Sequence, residues 1–268
     1  MTAPAERSSV QLERDGAVAH VVLARPDVGN AIDLCMARGL RAAVQSCAAD
    51  RSVRAVLLRA EGSAFCVGGD LVEFESKGAE RPAHLATLAS EFHAAQALLM
   101  TIRAPVVVAV QGPAAGAGMG LALCGDVVLA AAGAHFTAAY TAIGLSADGG
   151  STHLLPRLVG LRRAQELLLT NRRLSAAEAL DWGLITAVTP EADLRPSAED
   201  MVRRLAEGPT EAHGVIKRLL AHTYDRTFLA QTEVEGGEIA RLSGRPDAAE
   251  GIAAFRAKRR PAFRGQAY

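Results

Sequence analysis

Two glycine-rich stretches constrain this chain more than any other feature. They are Phe65-Cys66-Val67-Gly68-Gly69-Asp70-Leu71 and Gln111-Gly112-Pro113-Ala114-Ala115-Gly116-Ala117-Gly118-Met119-Gly120, and each follows an apolar run typical of a buried strand. Because side chains are sparse in both stretches, what they offer a ligand is backbone N–H groups. Two such groups aimed at one oxygen form an oxyanion hole, which stabilises negative charge on a carbonyl. Alternatively, glycine and alanine there allow tight strand-to-helix turns and close packing.

The composition argues against several classes of partner. Lys and Arg together number 29, as do Asp and Glu, so the charge favours neither nucleic acid nor a membrane surface. The four cysteines are dispersed, which argues against metal and disulfide roles. No apolar run reaches the ~18 residues of a membrane-spanning helix, and residues 1–9 lack the apolar segment of a signal peptide. We therefore expect a cytoplasmic protein that binds no metal.

The alternation of apolar runs predicts an α/β layout with partly parallel sheets. Strands are predicted at 10–13, 17–23, 53–59, 106–110 and 127–132, and helices at 34–49, 82–102 and 116–124. Asp33 is placed to cap the first of these helices. From residue 164 onward the pattern is almost wholly helical. Neither a Walker-type loop nor a dinucleotide fingerprint occurs, which argues against ATP and NAD.

The two glycine stretches resemble the signature of the crotonase superfamily, which includes the enoyl-CoA hydratases and isomerases. Further motifs of that superfamily follow in order along the chain. They are Arg25-Pro26-x-x-x-Asn30-Ala31, Gly144-Leu145-x-x-Asp148-Gly149-Gly150-Ser151-Thr152, Leu155-Pro156-Arg157-Leu158-Val159-Gly160, Ala176-Ala177-Glu178-Ala179-Leu180-Asp181-Trp182-Gly183-Leu184 and Phe255-x-x-Lys258-Arg259-x-Pro261-x-Phe263.

This resemblance implies a fold, a substrate class and an assembly. The fold is a crotonase-like spiral of ββα units over residues 1–200, followed by a helical region over residues 201–268 that serves oligomerisation and closes the coenzyme A site. The substrate is an acyl-CoA thioester, and no cofactor is needed beyond the coenzyme A that the substrate carries. The family usually forms trimers or dimers of trimers, so we expect a homotrimer or a homohexamer.

Matched position by position, the family's two oxyanion donors fall on the N–H groups of Gly69 and Ala117. A thioester enolate needs such donors because its oxygen carries the negative charge. The residues around the donors are expected to contact the substrate. They are Gly68, Asp70, Leu71 and Gly116.

The acid–base positions depart from those of the hydratases. The two glutamates of those enzymes match Gly120 and Tyr140 here, and neither residue is a carboxylate. One carboxylate remains, Asp148, at the position where crotonase-type isomerases and 4-chlorobenzoyl-CoA dehalogenases carry a functional aspartate. A single carboxylate suits a shuttle that removes a proton at one carbon and returns it two carbons away. Alternatively, Asp148 caps the helix that follows it.

Two further residues resemble site residues of the dehalogenases. His93 precedes Pro105 by twelve positions, as a dehalogenase histidine precedes its proline, and Tyr140 matches the dehalogenase site tryptophan. His93 is therefore a candidate catalytic residue, or else a packed core histidine. Tyr140 is a candidate substrate contact or a pocket wall. Arg25 is a candidate contact for the nucleotide end of coenzyme A. Lys258 is a candidate contact for a phosphate, or else a solvated charge at a helix end.

The function we favour is double-bond isomerisation of an enoyl-CoA through Asp148. Ring-opening isomerisation of an epoxyphenylacetyl-CoA belongs to the same group of reactions. The alternatives are a hydratase or lyase with Glu91 as second carboxylate, an aryl-CoA dehalogenase, and a non-catalytic relative that binds coenzyme A or RNA. The balanced charge argues against RNA.

Overall fold

Continuous aliphatic runs form the centre of the main sheet. The computed structural model describes residues 8–265, and the nine strands below lie within that range. They are β1 (Val10–Asp15), β2 (Val18–Leu23), β3 (Ala55–Ala60), β4 (Val106–Val110), β5 (Ala114–Ala115), β6 (Val127–Ala131), β7 (His135–Thr137), β8 (Leu174–Ser175) and β9 (Ala187–Thr189). Every residue of β2 and β4 is buried, which is why these two strands show no polar alternation.

Eleven α-helices connect and follow these strands within the described range. They are α1 (Leu34–Ala49), α2 (Leu71–Ser76), α3 (Arg81–Thr101), α4 (Ala117–Ala122), α5 (Ser151–Val159), α6 (Leu161–Thr170), α7 (Ala176–Asp181), α8 (Glu191–Ala206), α9 (Thr210–Ala221), α10 (Phe228–Ser243) and α11 (Pro246–Arg256). The predicted Asp33 cap of α1 is confirmed, since its side chain accepts a hydrogen bond from the Met36 N–H at 2.7 Å.

The strands form two sheets. The larger has the order β1-β2-β3-β4-β6-β9, and the smaller has the order β5-β7-β8. In the larger sheet only the β1–β2 pair is antiparallel, and the remaining four pairs are parallel. The predicted fold class, mixed α/β with a parallel sheet and a helical C-terminal region, is therefore confirmed.

Helices cover both faces of the larger sheet. Helices α1 and α3 supply buried residues to the main core, including Leu40, Phe92 and Leu99. Helix α8 covers the opposite face with a stripe at every fourth position, namely Leu194, Ala198, Val202 and Ala206. The predicted boundary between the core and the C-terminal helical region, at residue 200, falls inside α8. This helix packs on the sheet and continues into the C-terminal region.

The C-terminal part contains two strands that the sequence analysis missed. Strand β8 pairs with β7, and β9 extends the larger sheet alongside β6. Both are too short, at two and three residues, to show a period that separates them from a helix. The prediction of an almost wholly helical pattern after residue 164 is wrong at these two points.

None of the helices formed by residues 8–265 has the length and apolar character needed to cross a membrane.

Candidate functional site

The two glycine stretches meet because the strands before them are parallel neighbours. Strands β3 and β4 pair in parallel, so their carboxyl ends reach the same edge of the sheet. There Cys66 and Ala114 form an isolated parallel bridge, in which the Ala115 N–H donates to the Cys66 carbonyl at 2.9 Å. The first stretch is thus held directly against the second.

Two glycines are required by this close approach. Gly68 has a φ of +100°, and a Cβ there would lie 3.0 Å from the Ala115 carbonyl oxygen. A Cβ on Gly118 would overlap the carbonyl oxygen of Cys66. Close packing therefore explains why positions 68 and 118 are glycine. It does not explain the N–H groups of the neighbouring residues, Gly69 and Ala117.

The N–H groups of Gly69 and Ala117 lack a hydrogen-bond partner among residues 8–265. Ala117 is the first residue of α4, where helical N–H groups have no partner within the helix. Gly69 and Ala117 both line the same cavity. Two unsatisfied donors whose residues line one cavity are what an oxyanion hole requires.

The cavity beside these donors is large and mostly apolar. Its volume is about 700 Å³. Its apolar wall consists of Val28, Ala31, Ile32, Val67, Leu71, Val72, Phe74, Leu85, Leu88, Ala89, Phe92, Ala139, Ala142, Ile143 and Leu145. Within the described chain, its lining contains two carboxylates, Asp70 and Asp148.

Asp70 is occupied by structural contacts. Its Oδ1 accepts from the N–H groups of Val72 and Glu73, both at 3.1 Å, and so caps α2. Its Oδ2 lies 3.1 Å from the guanidinium of Arg25. Partial burial raises the pKa of this carboxyl, but the Glu73 N–H and Arg25 more than offset that effect and hold the pKa below its ordinary value. Asp70 is therefore a charged cap rather than a base.

The predicted coenzyme A contacts Arg25 and Lys258 do not line the cavity. The Arg25 guanidinium bridges Asp33 at 3.1 Å and Asp70, and donates to the Ala31 carbonyl. It thereby ties the loop after β2 to the first glycine stretch. Lys258 is exposed just after α11 with a φ of +52°.

Asp148 does not cap the helix that follows it. The N-cap of α5 is Gly150, without a side-chain hydrogen bond, and the Ser151 N–H donates to the backbone carbonyl of Asp148 at 3.1 Å. The Asp148 side chain is 38% exposed and lines the cavity. The capping alternative is thus wrong, because the main chain of Asp148 and not its carboxylate serves the helix.

The loop at Asp148 occupies the space that a side chain at position 120 would need. A Cβ on Gly120 would overlap the carbonyl oxygen of Gly149 and lie 3.1 Å from its carbonyl carbon. The absence of the hydratase glutamate at position 120 therefore has a physical reason. A glutamate at 120 and the Gly149 carbonyl in its present place exclude each other.

Tyr140 and His93 both bond to this loop. The Tyr140 hydroxyl donates to the Asp148 carbonyl at 3.0 Å, and burial followed by the Asp148 charge raises its pKa well above the ordinary value. The Nε2 of His93 accepts from the Gly149 N–H at 3.2 Å and lies 3.5 Å from the Asp148 carboxylate. The His93 side chain is 46% exposed, so the interpretation as a packed core histidine is wrong.

Glu91 lies away from the site. Its carboxylate pairs with Arg41 at 2.8 Å and with Arg38 at 3.7 Å, between α1 and α3, and it does not line the cavity. It therefore does not provide the second carboxylate that a hydratase alternative requires.

The sequence analysis missed Gln96, which is buried and donates to the Gly149 carbonyl at 2.9 Å. One signal was present, since Gln96 is a polar residue on an apolar helix one turn after His93. Groups of three or more His, Cys, Asp or Glu side chains able to hold a metal do not occur within residues 8–265.

Comparisons with known proteins agree with this architecture. The family model for enoyl-CoA hydratase/isomerase matches residues 13–266. The 4-chlorobenzoyl coenzyme A dehalogenase-2 of an Arthrobacter species is 35% identical over 250 residues, 93% of this chain and 91% of the relative. The 1,2-epoxyphenylacetyl-CoA isomerase of Escherichia coli K12 is 36% identical over 248 residues, 92% of this chain and 94% of the relative.

Solved structures show the same relation. The crystal structure of an enoyl-CoA hydratase from Polaromonas sp. JS666 superposes with a TM-score of 0.91 and 32% identity. The match covers 95% of this chain and 99% of that one.

Proposed function

The chain belongs to the enoyl-CoA hydratase/isomerase family of the crotonase superfamily, and from that premise we propose that it moves a double bond within an enoyl-CoA by a proton shuttle through Asp148. The observation that carries the proposal is the placement of one uncommitted carboxylate beside two unpartnered N–H groups in an apolar cavity. Asp70, the other acid in that lining, is engaged as a cap.

The proposed reaction has two proton transfers. The thioester oxygen of a 3-enoyl-CoA accepts hydrogen bonds from the Gly69 and Ala117 N–H groups. Asp148 then removes a proton from the α-carbon, and the electron pair delocalises onto the thioester oxygen as a dienolate. The protonated Asp148 returns the same proton to the γ-carbon, which leaves the double bond in conjugation with the thioester. Each N–H donor is worth on the order of 3 kcal/mol of barrier stabilisation.

Hydration fits this site less well, because addition of water needs a second acid–base group beside Asp148. Position 120 is glycine, and the Tyr140 hydroxyl donates to the Asp148 carbonyl with a raised pKa. Glu91 is paired with arginines outside the cavity. The same preparation should therefore isomerise a 3-enoyl-CoA faster than it hydrates crotonyl-CoA.

The substitution Asp148→Asn tests the proposal. We expect turnover of a 3-enoyl-CoA to fall by at least ~10²-fold, the usual scale for loss of a general base. Acyl-CoA affinity and melting temperature should change little, because the Asp148 carboxylate does not cap α5. Glu91→Gln is the matched control and should keep its turnover. Turnover by Asp148→Asn equal to that of the unsubstituted protein would refute the single-base mechanism.

A second candidate, aryl-CoA dehalogenation, has one observation in its favour. His93 lies 3.5 Å from the Asp148 carboxylate, and the chain is 35% identical to a 4-chlorobenzoyl coenzyme A dehalogenase. In that reaction Asp148 would attack the ring carbon that bears the halogen, halide would leave, and water activated by His93 would cleave the aryl ester. Release of chloride from 4-chlorobenzoyl-CoA, with transient mass labelling of Asp148, would favour this candidate over isomerisation.

The use of cofactors, the cellular compartment and the assembly are also proposals. Coenzyme A enters as part of the substrate, no further cofactor is used, and the protein acts in the cytoplasm. Its assembly is a homotrimer or a homohexamer, which agrees with the exposure of large apolar side chains on the C-terminal helices, such as Phe228, Ile239 and Phe255. Sedimentation analysis would measure the assembly directly.

A further inference from the structure

The backbone that carries Asp148 has little stiffness of its own. Gly149 and Gly150 follow it with φ values of +59° and +72°, and consecutive glycines leave the chain free to adopt many conformations. Residues 141–146, which precede it, are all exposed. The position of the Asp148 carboxylate must therefore be set by contacts from outside the loop.

Helix α3 supplies two of those contacts through side chains one turn apart. His93 Nε2 accepts from the Gly149 N–H at 3.2 Å. Gln96 Nε2 donates to the Gly149 carbonyl at 2.9 Å. Residues at i and i+3 share one face of a helix, so one face of α3 holds both polar backbone atoms of Gly149.

The same contacts bring the loop against the oxyanion hole. A Cβ on Gly149 would lie 3.4 Å from the Ala117 Cα and 3.4 Å from the Phe92 ring. A side-chain carbon on the residue after the base would thus touch the residue that offers an N–H to the thioester oxygen, so the two backbones lie close to each other. Holding Gly149 therefore fixes the spacing between the base and the oxyanion donor.

The hydrogen bond from Gly149 also defines what His93 does. An imidazole nitrogen that accepts a hydrogen bond carries no proton, and its one lone pair is used by that bond. The hydrogen bond to the Gly149 N–H would have to break before Nε2 could donate to the Asp148 carboxylate or accept a proton from water. While this bond is present, His93 orients the loop.

We propose that His93 and Gln96 are positioning residues, which clamp Gly149 through its N–H and its carbonyl and thereby hold Asp148 in reach of the substrate carbons. This inference rests on the proposed function, because it assigns the pair to the base of that reaction. It removes His93 from the candidate catalytic residues.

Three variants test the clamp by the turnover of a 3-enoyl-CoA. His93→Gln keeps an acceptor for the Gly149 N–H, whereas His93→Leu removes it. Because a shift of about 1 Å can cost ~10²-fold in rate, His93→Leu should lose ~10–100-fold in kcat with little change in KM. His93→Gln should recover most of that loss. Gln96→Met, which fills the space but cannot donate, should resemble His93→Leu.

Leu99→Ala is the control, since Leu99 is a buried residue of α3 one turn further on and outside the cavity lining. It lowers stability while kcat should stay near that of the unsubstituted protein. A His93→Gln variant as slow as His93→Leu would overturn the assignment of His93 and favour water activation by that residue. A Gln96→Met variant with unchanged kcat would overturn the assignment of Gln96.

Amide hydrogen exchange of the peptide over residues 146–152 separates failure of the clamp from failure of the proposed function. Exchange should speed up in His93→Leu and Gln96→Met but not in Leu99→Ala. If Asp148→Asn keeps full turnover while exchange behaves as expected, the clamp exists and the single-base reaction is wrong. Unchanged exchange in both clamp variants overturns the clamp whatever the reaction is.

Discussion

The substitution Gly120→Ala probes the contact between helix α4 and the loop that carries Asp148. The added methyl would overlap the Gly149 carbonyl oxygen and lie 3.1 Å from the carbonyl carbon. Because carbon and oxygen atoms in contact are about 3.3 Å apart, the oxygen must retreat by about 1 Å. That movement displaces the acceptor of the 2.9 Å hydrogen bond from Gln96, which is buried.

The expected cost combines three effects. Overpacking of a tight site costs about 1–3 kcal/mol, and loss of a buried hydrogen bond costs about 1–3 kcal/mol. Replacement of a helical glycine by alanine stabilises the helix by about 1 kcal/mol. We expect a net loss of about 1–5 kcal/mol in the free energy of unfolding, and the middle of that range lowers the melting temperature by roughly 10 °C. Displacement of Asp148 by about 1 Å should reduce kcat by ~10²-fold.

Thermal unfolding and turnover of a 3-enoyl-CoA measure the two effects. Gly39→Ala is the matched control, because Gly39 is also helical and its added Cβ would meet Val10 at an ordinary 3.4 Å. That variant should gain about 0.5–1 kcal/mol and keep its turnover. If Gly120→Ala matched Gly39→Ala in both measurements, the Gly149 carbonyl could not lie against α4 and the argument would be refuted.

Two further predictions concern ion pairs outside the site. Lys217 is buried and its ammonium lies 2.6 Å from Asp126. Lys217→Met should therefore lower the free energy of unfolding in urea by about 3 kcal/mol. The double variant with Asp126→Asn should recover part of that loss. Hydrogen bonds from Arg259, then from the Ala262 N–H, lower the pKa of Glu250 from 4.5 to about 2, so its contribution to stability is present above 4.5 and is lost as the pH falls towards 2. Glu250→Gln should therefore be less stable than the unsubstituted protein at pH 6 in urea titrations, with a difference that shrinks to nothing near pH 2; a constant difference would contradict the assigned pKa.

Local patterns in the sequence predict the elements that sit near one another along the chain. Helix α1 spans the predicted residues 34–49 with Asp33 as its cap, because a polar cap and a periodic apolar face are both local signals. The meeting of the two glycine stretches agrees with the predicted parallel sheet, since parallel neighbouring strands end at one edge. The short strands β8 and β9 depend on partners far along the chain, and local patterns carry no trace of them.

The roles of individual polar side chains proved harder to predict. The sequence suggests that Asp70 and Arg25 contact the substrate. In the structure Arg25 pairs with Asp70 and does not line the cavity, whereas Asp70 lines the cavity and also caps α2. Asp148 shows the reverse case, since its capping alternative is excluded by the N-cap at Gly150. The partner of each polar atom depends on packing between residues far apart in the chain. The sequence therefore identifies candidate site residues and does not predict their partners.

The proposed oxyanion donors at Gly69 and Ala117 are main-chain atoms, so an alanine scan does not remove them. Such a scan leaves Ala117 unchanged, and at Gly69 it would report the collision of a methyl group with the Phe74 ring rather than the loss of a donor. A change to the peptide bond itself, such as an amide-to-ester replacement at Ala117, removes the N–H and leaves the side chain in place. A single side-chain substitution can therefore remove the proposed base at Asp148 while the two main-chain donors stay in place beside the cavity.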